Sequence, residues 1–257
     1  MTDRAQIVTI PCLGDNYAFL LHDPESGRTA LVDAPEAGPI RAELDARGWT
    51  LSDILITHHH DDHIQAVAAL RGPGGARVWG AGADRERLPR LDQELAEGDA
   101  VRIGGLSGHV IEVPGHTIGH IAFHFPDAGA VFTADSLMAL GCGRLFEGTA
   151  EQMWDSLQKL AALPPETLVC SGHEYTMSNA KFALSIEPQN AALISRIEKI
   201  KSARAADSPT VPSKLADELA TNPFLRAHLD DLKSGIGMSG EPDVEVFAEI
   251  RARKDRF

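Results

Sequence analysis

The chain has 257 residues, 43% of them hydrophobic and 24% charged, an ordinary globular composition long enough for one large domain or a medium domain with an appendage. Its formal charge of −13, from 24 Lys and Arg against 37 Asp and Glu, opposes a grip on a polyanionic backbone, so nucleic acid is not the expected partner. No apolar run approaches the roughly 18 residues a membrane span needs, and the opening Met1-Thr2-Asp3-Arg4-Ala5-Gln6 has no apolar signal core, so a cytoplasmic protein with no membrane partner is expected.

Taken in chain order, the first two thirds read as short strands broken by turns: 7–10, 18–21, 29–32, 53–57, 77–79, 101–103, 109–113, 121–125, 130–133 and 167–170. Helical spacing interrupts them at 39–47 and 64–71, and a third helix is expected over 150–163, with Thr149 as its N-cap and Pro164-Pro165 as its stop. Strands and helices are therefore mixed, which predicts an α/β chain. After about Tyr175 strand signals vanish, and 180–205 and 243–254 read as helices around the Pro- and Ser-containing stretch 208–213. A domain boundary is placed there, giving 1–174 and 175–257. Cys12, Cys142 and Cys170 are odd in number and lack C-x-x-C spacing, so neither a disulfide framework nor a thiolate metal site is indicated.

The chemistry concentrates where the strand 53–57 meets the helix that follows. His58 and His60 in near-extended backbone project to one side and His59 to the other, so two imidazoles can chelate one cation. Asp62 and His63 open the next helix and are re-aimed. Four donors within six residues are hard to read as a solvated turn. His116, Asp135 and His173 each follow a strand-like run in the same way. Singly they read as a core histidine, a helix cap and a loop residue; if the strands run side by side in one sense, their ends converge with the first cluster. Asp33, ending the strand at 29–32, is expected behind the ligands, as is His120 among the six histidines outside the set. Seven N and O donors exceed one tetrahedral ion, and a carboxylate can bridge. Two divalent ions sharing Asp135 is the economical arrangement, with zinc first and iron or manganese also accommodated.

The pattern His58-x-His60-x-Asp62-His63, Pro114-Gly115-His116-Thr117, Phe132-Thr133-Ala134-Asp135 and Gly172-His173 resembles the metallo-β-lactamase superfamily. That resemblance implies a four-layer αββα sandwich over roughly the first 175 residues. More selectively, Gly141-Cys142-Gly143-Arg144-Leu145-Phe146-Glu147-Gly148-Thr149, His173-Glu174-Tyr175-Thr176, Thr221-Asn222-Pro223-Phe224-Leu225-Arg226 and the Arg251-x-x-Lys254-Asp255-x-Phe257 ending look like the hydroxyacylglutathione hydrolase, or glyoxalase II, family. The resemblance implies one metal on His58, His60 and His116, another on Asp62, His63 and His173, and Asp135 between them. It also implies a glutathione thioester such as S-D-lactoylglutathione as the small-molecule partner, held by Arg144, Tyr175, Asn179, Arg251 and Lys254, with a C-terminal helical substrate domain; a monomer is expected. Arg251 and Lys254, three apart on a helix, share a face suited to a carboxylate.

Two positions depart from the pattern: Gln65-Ala66 follow Ile64 where many superfamily members continue with Gly-Gly, and Phe146 stands where some glyoxalase II enzymes have Tyr. The mechanism implied is attack on the thioester carbonyl by a hydroxide held between the metals, with Asp62 and Asp135 as the carboxylates that take part. The rival readings are a mononuclear-iron persulfide dioxygenase, and a non-catalytic glutathione- or metal-binding module.

Overall fold

The structure, a computed structural model, describes residues 5–72 and 75–257. The polar opening 1–4, read above for the absence of a signal core, lies outside the described residues. Contacts divide the chain into two compact units, residues 1–112 with 119–134, and residues 113–118 with 135–257.

The first unit is built on two sheets. In one, β1 (Gln6–Cys12), β2 (Asn16–His22) and β3 (Thr29–Val32) are antiparallel neighbours, and β3 continues into the parallel run β4 (Leu51–Leu55), β5 (Arg77–Ala81) and β6 (Gln93–Leu95). The crossover from β3 to β4 runs through α1 (Ala37–Arg47), and that from β4 to β5 through α2 (Asp61–Ile64) and α3 (Val67–Arg71). The second sheet carries the antiparallel meander β7 (Ala100–Ile103), β8 (Leu106–Glu112), β9 (Ile121–Phe125) and β10 (Ala130–Ala134).

Strand β2 explains how the layers hold. It is buried along its whole length, because its two faces pack in opposite directions. Ala18 and Leu20 join Ile40 and Leu44 of α1, Val67 of α3 and Ile54 and Val78 of the sheet in one apolar cluster. Phe19, on the other face, meets Phe132 of β10 edge-on at 5.7 Å, which places the two sheets face to face.

The second unit contains the hairpin β11 (Leu137–Met138) and β12 (Gly141–Cys142), then α4 (Ala150–Ala161), β13 (Leu168–Ser171), α5 (Thr176–Ile186) and α6 (Ala191–Ala205). It ends with β14 (Ser213–Lys214), α7 (Leu215–Thr221), α8 (Asp230–Gly235) and α9 (Asp243–Arg256). Thr149 caps α4 reciprocally with Gln152, as its position before the apolar stripe predicts. The single helix expected over 180–205 is two. Glu187 precedes Pro188 and leaves helical geometry (φ −123, ψ 68), and Asn190 restarts the chain by accepting a hydrogen bond from the Leu193 amide. Leu140, Ala180, Ala183, Leu193, Ile197 and Ile200 form the apolar seam of α5 and α6, and Trp154 packs on Phe247 to join α4 to α9. Among the described residues no helix is long and apolar enough to cross a membrane.

The strands that lead to the candidate ligands do not lie side by side in one sheet. β4 belongs to the first sheet and β8 and β10 to the second, where β8 and β10 run in the same sense only because antiparallel β9 lies between them. Within the first unit, β4, β8 and β10 therefore end in two sheets rather than along one parallel edge.

Candidate functional site

In the first unit, β4 feeds Thr57 and His58, both fully buried, into a short extended stretch that ends where His60 (φ −63, ψ 141) caps α2. Alternation along that stretch separates the imidazoles. His58 Nε2 and His60 Nδ1 converge at 3.1 Å, while His59 turns away to Asp84, 3.2 Å from its carboxylate. Asp62 and His63 follow on α2, with His63 Nε2 3.6 Å from Asp62 Oδ2 and the His58 and His63 rings 4.2 Å apart.

Asp33, at φ 56 just beyond β3, fixes the protonation of two of these rings. Its Oδ1 accepts the Thr57 amide at 2.9 Å, and its Oδ2 accepts both the Thr57 hydroxyl and His63 Nδ1 at 2.8 Å. A carboxylate only accepts, so His63 carries its proton on Nδ1. Thr57 spends its hydroxyl proton on Asp33, so its oxygen accepts from His58 Nδ1 at 3.0 Å, and His58 too carries its proton on Nδ1. Both Nε2 atoms are left as lone-pair donors, the form that binds a metal. Asn16, 4% exposed at the start of β2, donates to Asp62 Oδ2 at 2.9 Å and to the Asp62 carbonyl at 3.2 Å, fixing that carboxylate's rotation. His120, fully buried, stacks on His58 at 4.6 Å and 12°.

The helix expected over 64–71 is interrupted at Gln65-Ala66. The Ala66 amide donates to Ala34, the Ala34 amide donates to His63, and Gln65 Nε2 donates to Pro35. These bonds tie the helix entry to the segment after Asp33, so the chain accommodates Gln65 and Ala66 where the superfamily pattern has glycines.

The second unit gathers the other three donors around one carboxylate oxygen. His116 Nε2 and His173 Nε2 lie 3.4 Å and 3.3 Å from Asp135 Oδ2. His116 Nδ1 donates to the Arg144 carbonyl at 2.8 Å, so its Nε2 is again the lone-pair nitrogen. Gly143 is required between them. A Cβ there would stand 2.0 Å from the Asp135 carbonyl and 2.9 Å from His116 Nδ1. Two aromatic rings back the imidazoles: Tyr175 lies parallel to His173 at 4.7 Å, and Phe146 meets His116 at 5.3 Å.

The residues associated above with glutathione divide by exposure. Phe146 and Tyr175 are 61% and 39% exposed, and the exposed Arg144 guanidinium pairs with Asp255 at 3.4 Å. Asn179 and Arg251 are each 6% exposed. Asn179 donates to the Ala139 carbonyl, and Arg251 donates to the Cys142 carbonyl and to Asp255 while lying over the Phe224 ring. Lys254 sits over Phe182 and Phe257, and burial together with the neighbouring Arg251 charge lowers its pKa. All three cysteines are buried and unbridged. Burial, reinforced for Cys12 by Glu36, raises Cys12 and Cys142 to about 11 and pushes Cys170 upward as well, so none is a thiolate nucleophile at neutral pH.

Reading the sequence missed Asn16, which carries no motif beyond a turn-like Gly-Asp-Asn, and Glu218, which lies in an ordinary helical pattern. Asn222 stood inside a quoted motif but had no role assigned.

The donor set fits a divalent metal centre: imidazoles whose tautomers are fixed from behind, carboxylates, and no thiolate. A model of the metallo-beta-lactamase superfamily matches residues 13–173, and a model of the hydroxyacylglutathione hydrolase C-terminus matches residues 174–257. The fold and the donors thus define a metal-binding α/β protein of the metallo-β-lactamase superfamily.

Similarity narrows this further. The chain is 66% identical over 252 residues to the hydroxyacylglutathione hydrolase of Jannaschia sp. (strain CCS1), covering 98% of each. Among solved structures, it resembles ETHE1 from Myxococcus xanthus (26% identity, TM-score 0.66, 96% of this chain and 89% of that one). It also resembles TTHA1623 in a di-iron-bound form (30% identity, TM-score 0.54, 65% of this chain and 91% of that one). The chain belongs to the hydroxyacylglutathione hydrolase family.

Proposed function

We propose that this chain hydrolyses glutathione thioesters, S-D-lactoylglutathione first among them, to a hydroxy acid and glutathione, the second step of methylglyoxal detoxification. The observation that carries the reading is Asp135 Oδ2 flanked by two imidazole Nε2 atoms, in a chain whose relatives bear the hydrolase name along their full length.

His58, His60 and His116 would hold one divalent ion and Asp62, His63 and His173 a second, with Asp135 between them. Zinc is the first choice; the di-iron form of a relative supports a pair of ions and keeps iron, beside manganese, within the reading. Two such ions, when bound, supply a water activated near neutral pH and polarise the thioester carbonyl. The chain's own residues do the rest. Asp33 and the Arg144 carbonyl keep ring protons on Nδ1, Asn16 holds Asp62, and His120 fixes the plane of His58. Phe146 and Tyr175 offer exposed aromatic surface beside His116 and His173 for the apolar part of the substrate, and Arg144 and Lys254 offer cationic charge to its carboxylates. Asn179 and Arg251 would act from beneath, shaping that surface through Ala139, Cys142 and Asp255.

The match of one family model up to residue 173 and of the other from 174 supports a catalytic domain at 1–174 and a helical substrate domain at 175–257. The second model also disfavours the persulfide dioxygenase reading. A cytoplasmic monomer acting on a small molecule completes the proposal. The test is to follow thioester loss from S-D-lactoylglutathione with and without a chelator. Turnover that stops on metal removal and returns with zinc supports it; chelator-insensitive turnover, or none, refutes it.

A further inference from the structure

The segment between Asp135 and Arg144 connects two parts of the donor set. It begins at the carboxylate flanked by His116 and His173, and it ends at the carbonyl that holds His116 Nδ1. Between them lies a hairpin with only two paired positions, Leu137 with Cys142 and Met138 with Gly141, closed by a bond from the Gly143 amide to Ser136. Leu140, in its two-residue turn, is fully buried and held at φ 56, where a γ-branched side chain is disfavoured. So short a hairpin does not fix its own conformation. What holds it comes from elsewhere in the chain.

Three side chains grip the backbone of that turn. Glu218 of α7 accepts the Leu140 amide at 2.8 Å. Asn222, which ends α7, donates from one amide nitrogen to the Met138 carbonyl at 3.1 Å and the Gly141 carbonyl at 3.0 Å. Asn179 of α5 donates to the Ala139 carbonyl at 3.0 Å, and Gly141 allows the approach, since a Cβ there would stand 2.5 Å from the Asn179 amide. Glu218 and Asn222 are both fully buried. The other oxygen of Glu218 is oriented by Arg196 of α6 and by the Ser213 hydroxyl, so the carboxylate is aimed before it meets the hairpin.

We propose that Glu218 and Asn222 are positioning residues for the metal centre. By fixing the 137–142 turn they set where Asp135 and the Arg144 carbonyl stand, and through the latter the tautomer of His116. This rests on the reading above that Asp135 and His116 bind metal. It gives α7 of the C-terminal helical segment a part in building the ligand set rather than only in holding substrate.

The experiment compares the zinc affinity of metal-free full-length chains, measured by competition with a chromophoric chelator, with thermal unfolding recorded in parallel. Glu218→Gln and Asn222→Ala are the test variants, and either suffices if the other does not fold. The control is Arg196→Met, which loses the bond to the far oxygen of Glu218 but leaves the near oxygen on Leu140. The expected result is zinc affinity reduced about tenfold or more in the test variants, as for other groups that support metal ligands from behind. Arg196→Met, though less stable, should stay within about twofold of the parent. The proposal is overturned if folded Glu218→Gln or Asn222→Ala binds zinc as the parent does, or if all three variants lose affinity in proportion to stability. Asp135→Asn is the separate check on the underlying reading. If that variant keeps the parent's zinc affinity, the metal assignment itself fails, whatever the clamp does.

Discussion

Replacing Asp33 by Asn removes one negative charge and barely changes shape, yet it should reverse a chain of protons. If the amide oxygen stays on the Thr57 amide, where Oδ1 now accepts at 2.9 Å, the new NH₂ group faces the Thr57 hydroxyl and His63 Nδ1, both now donors at 2.8 Å. Donor would meet donor. The relief is for the hydroxyl to turn and donate to His58 Nδ1, and for His63 Nδ1 to become an acceptor. Both imidazoles then carry the proton on Nε2, the atom needed by a metal. Losing one such partner typically costs 10- to 100-fold in metal affinity, and here two ligands are affected, so a loss near the upper end, about 100-fold or about 2.7 kcal/mol, is expected. Exchanging the charge-assisted bonds of the carboxylate for neutral ones should also lower the stability of the metal-free protein, by about 1 kcal/mol. Chelator competition reads the first effect and urea unfolding of the metal-free chain the second. Asp33→Asn protein that takes up zinc with the parent's affinity would refute the proton relay.

Three further outcomes follow from other parts of the structure. Burial beside His109 lowers the pKa of His124 to about 4, below the ordinary 6.5 expected in the unfolded chain. Its contribution is present above about pH 6.5 and is lost as pH falls toward 4, about 2 kcal/mol by pH 5. His124→Phe should flatten the acid limb of the stability profile, and an unchanged limb would rule His124 out as its cause. Asp53 is fully buried in the middle of β4; burial works to raise its pKa, but Arg28, Ser52, Trp79 and Arg77 outweigh it and the net shift is downward. Asp53→Ala should cost about 2–3 kcal/mol, because Trp79 Nε1 loses its acceptor while the half-exposed arginines rehydrate, and chelator competition should show zinc affinity unchanged. Gly143→Ala drives a methyl into the Asp135 carbonyl, so it should abolish thioester turnover and weaken zinc binding while α-helical circular dichroism is retained; near-parent activity would refute the close approach.

Which features could be read from the sequence follows from how local their causes are. β2, β3, β9 and β10 announce themselves because apolar residues crowd segments buried on both faces. The cap at Thr149 needs only residues three apart. β11, β12 and β14 are two residues long and exist through pairing, so no periodicity marks them. The separation of His58 and His60 from His59 is also local, since alternation dictates it. Asp33 could be placed from its position at a strand end. Asn16 and Glu218 could not, because each acts across the chain, 46 residues from Asp62 and 78 from Leu140. The burial of Arg251 and Asn179 likewise depends on Cys142 and Ala139, far away in sequence, which helical spacing alone cannot foresee.

In the proposed function one carboxylate, Asp135, would join two ions. Manganese loading of metal-free protein, followed by electron paramagnetic resonance alongside thioester turnover, tests it most directly. Two equivalents per chain should give an exchange-coupled signal that rises with activity and is missing in Asp135→Ala. Full activity at one equivalent, or two ions with the spectrum of isolated manganese, would contradict the account.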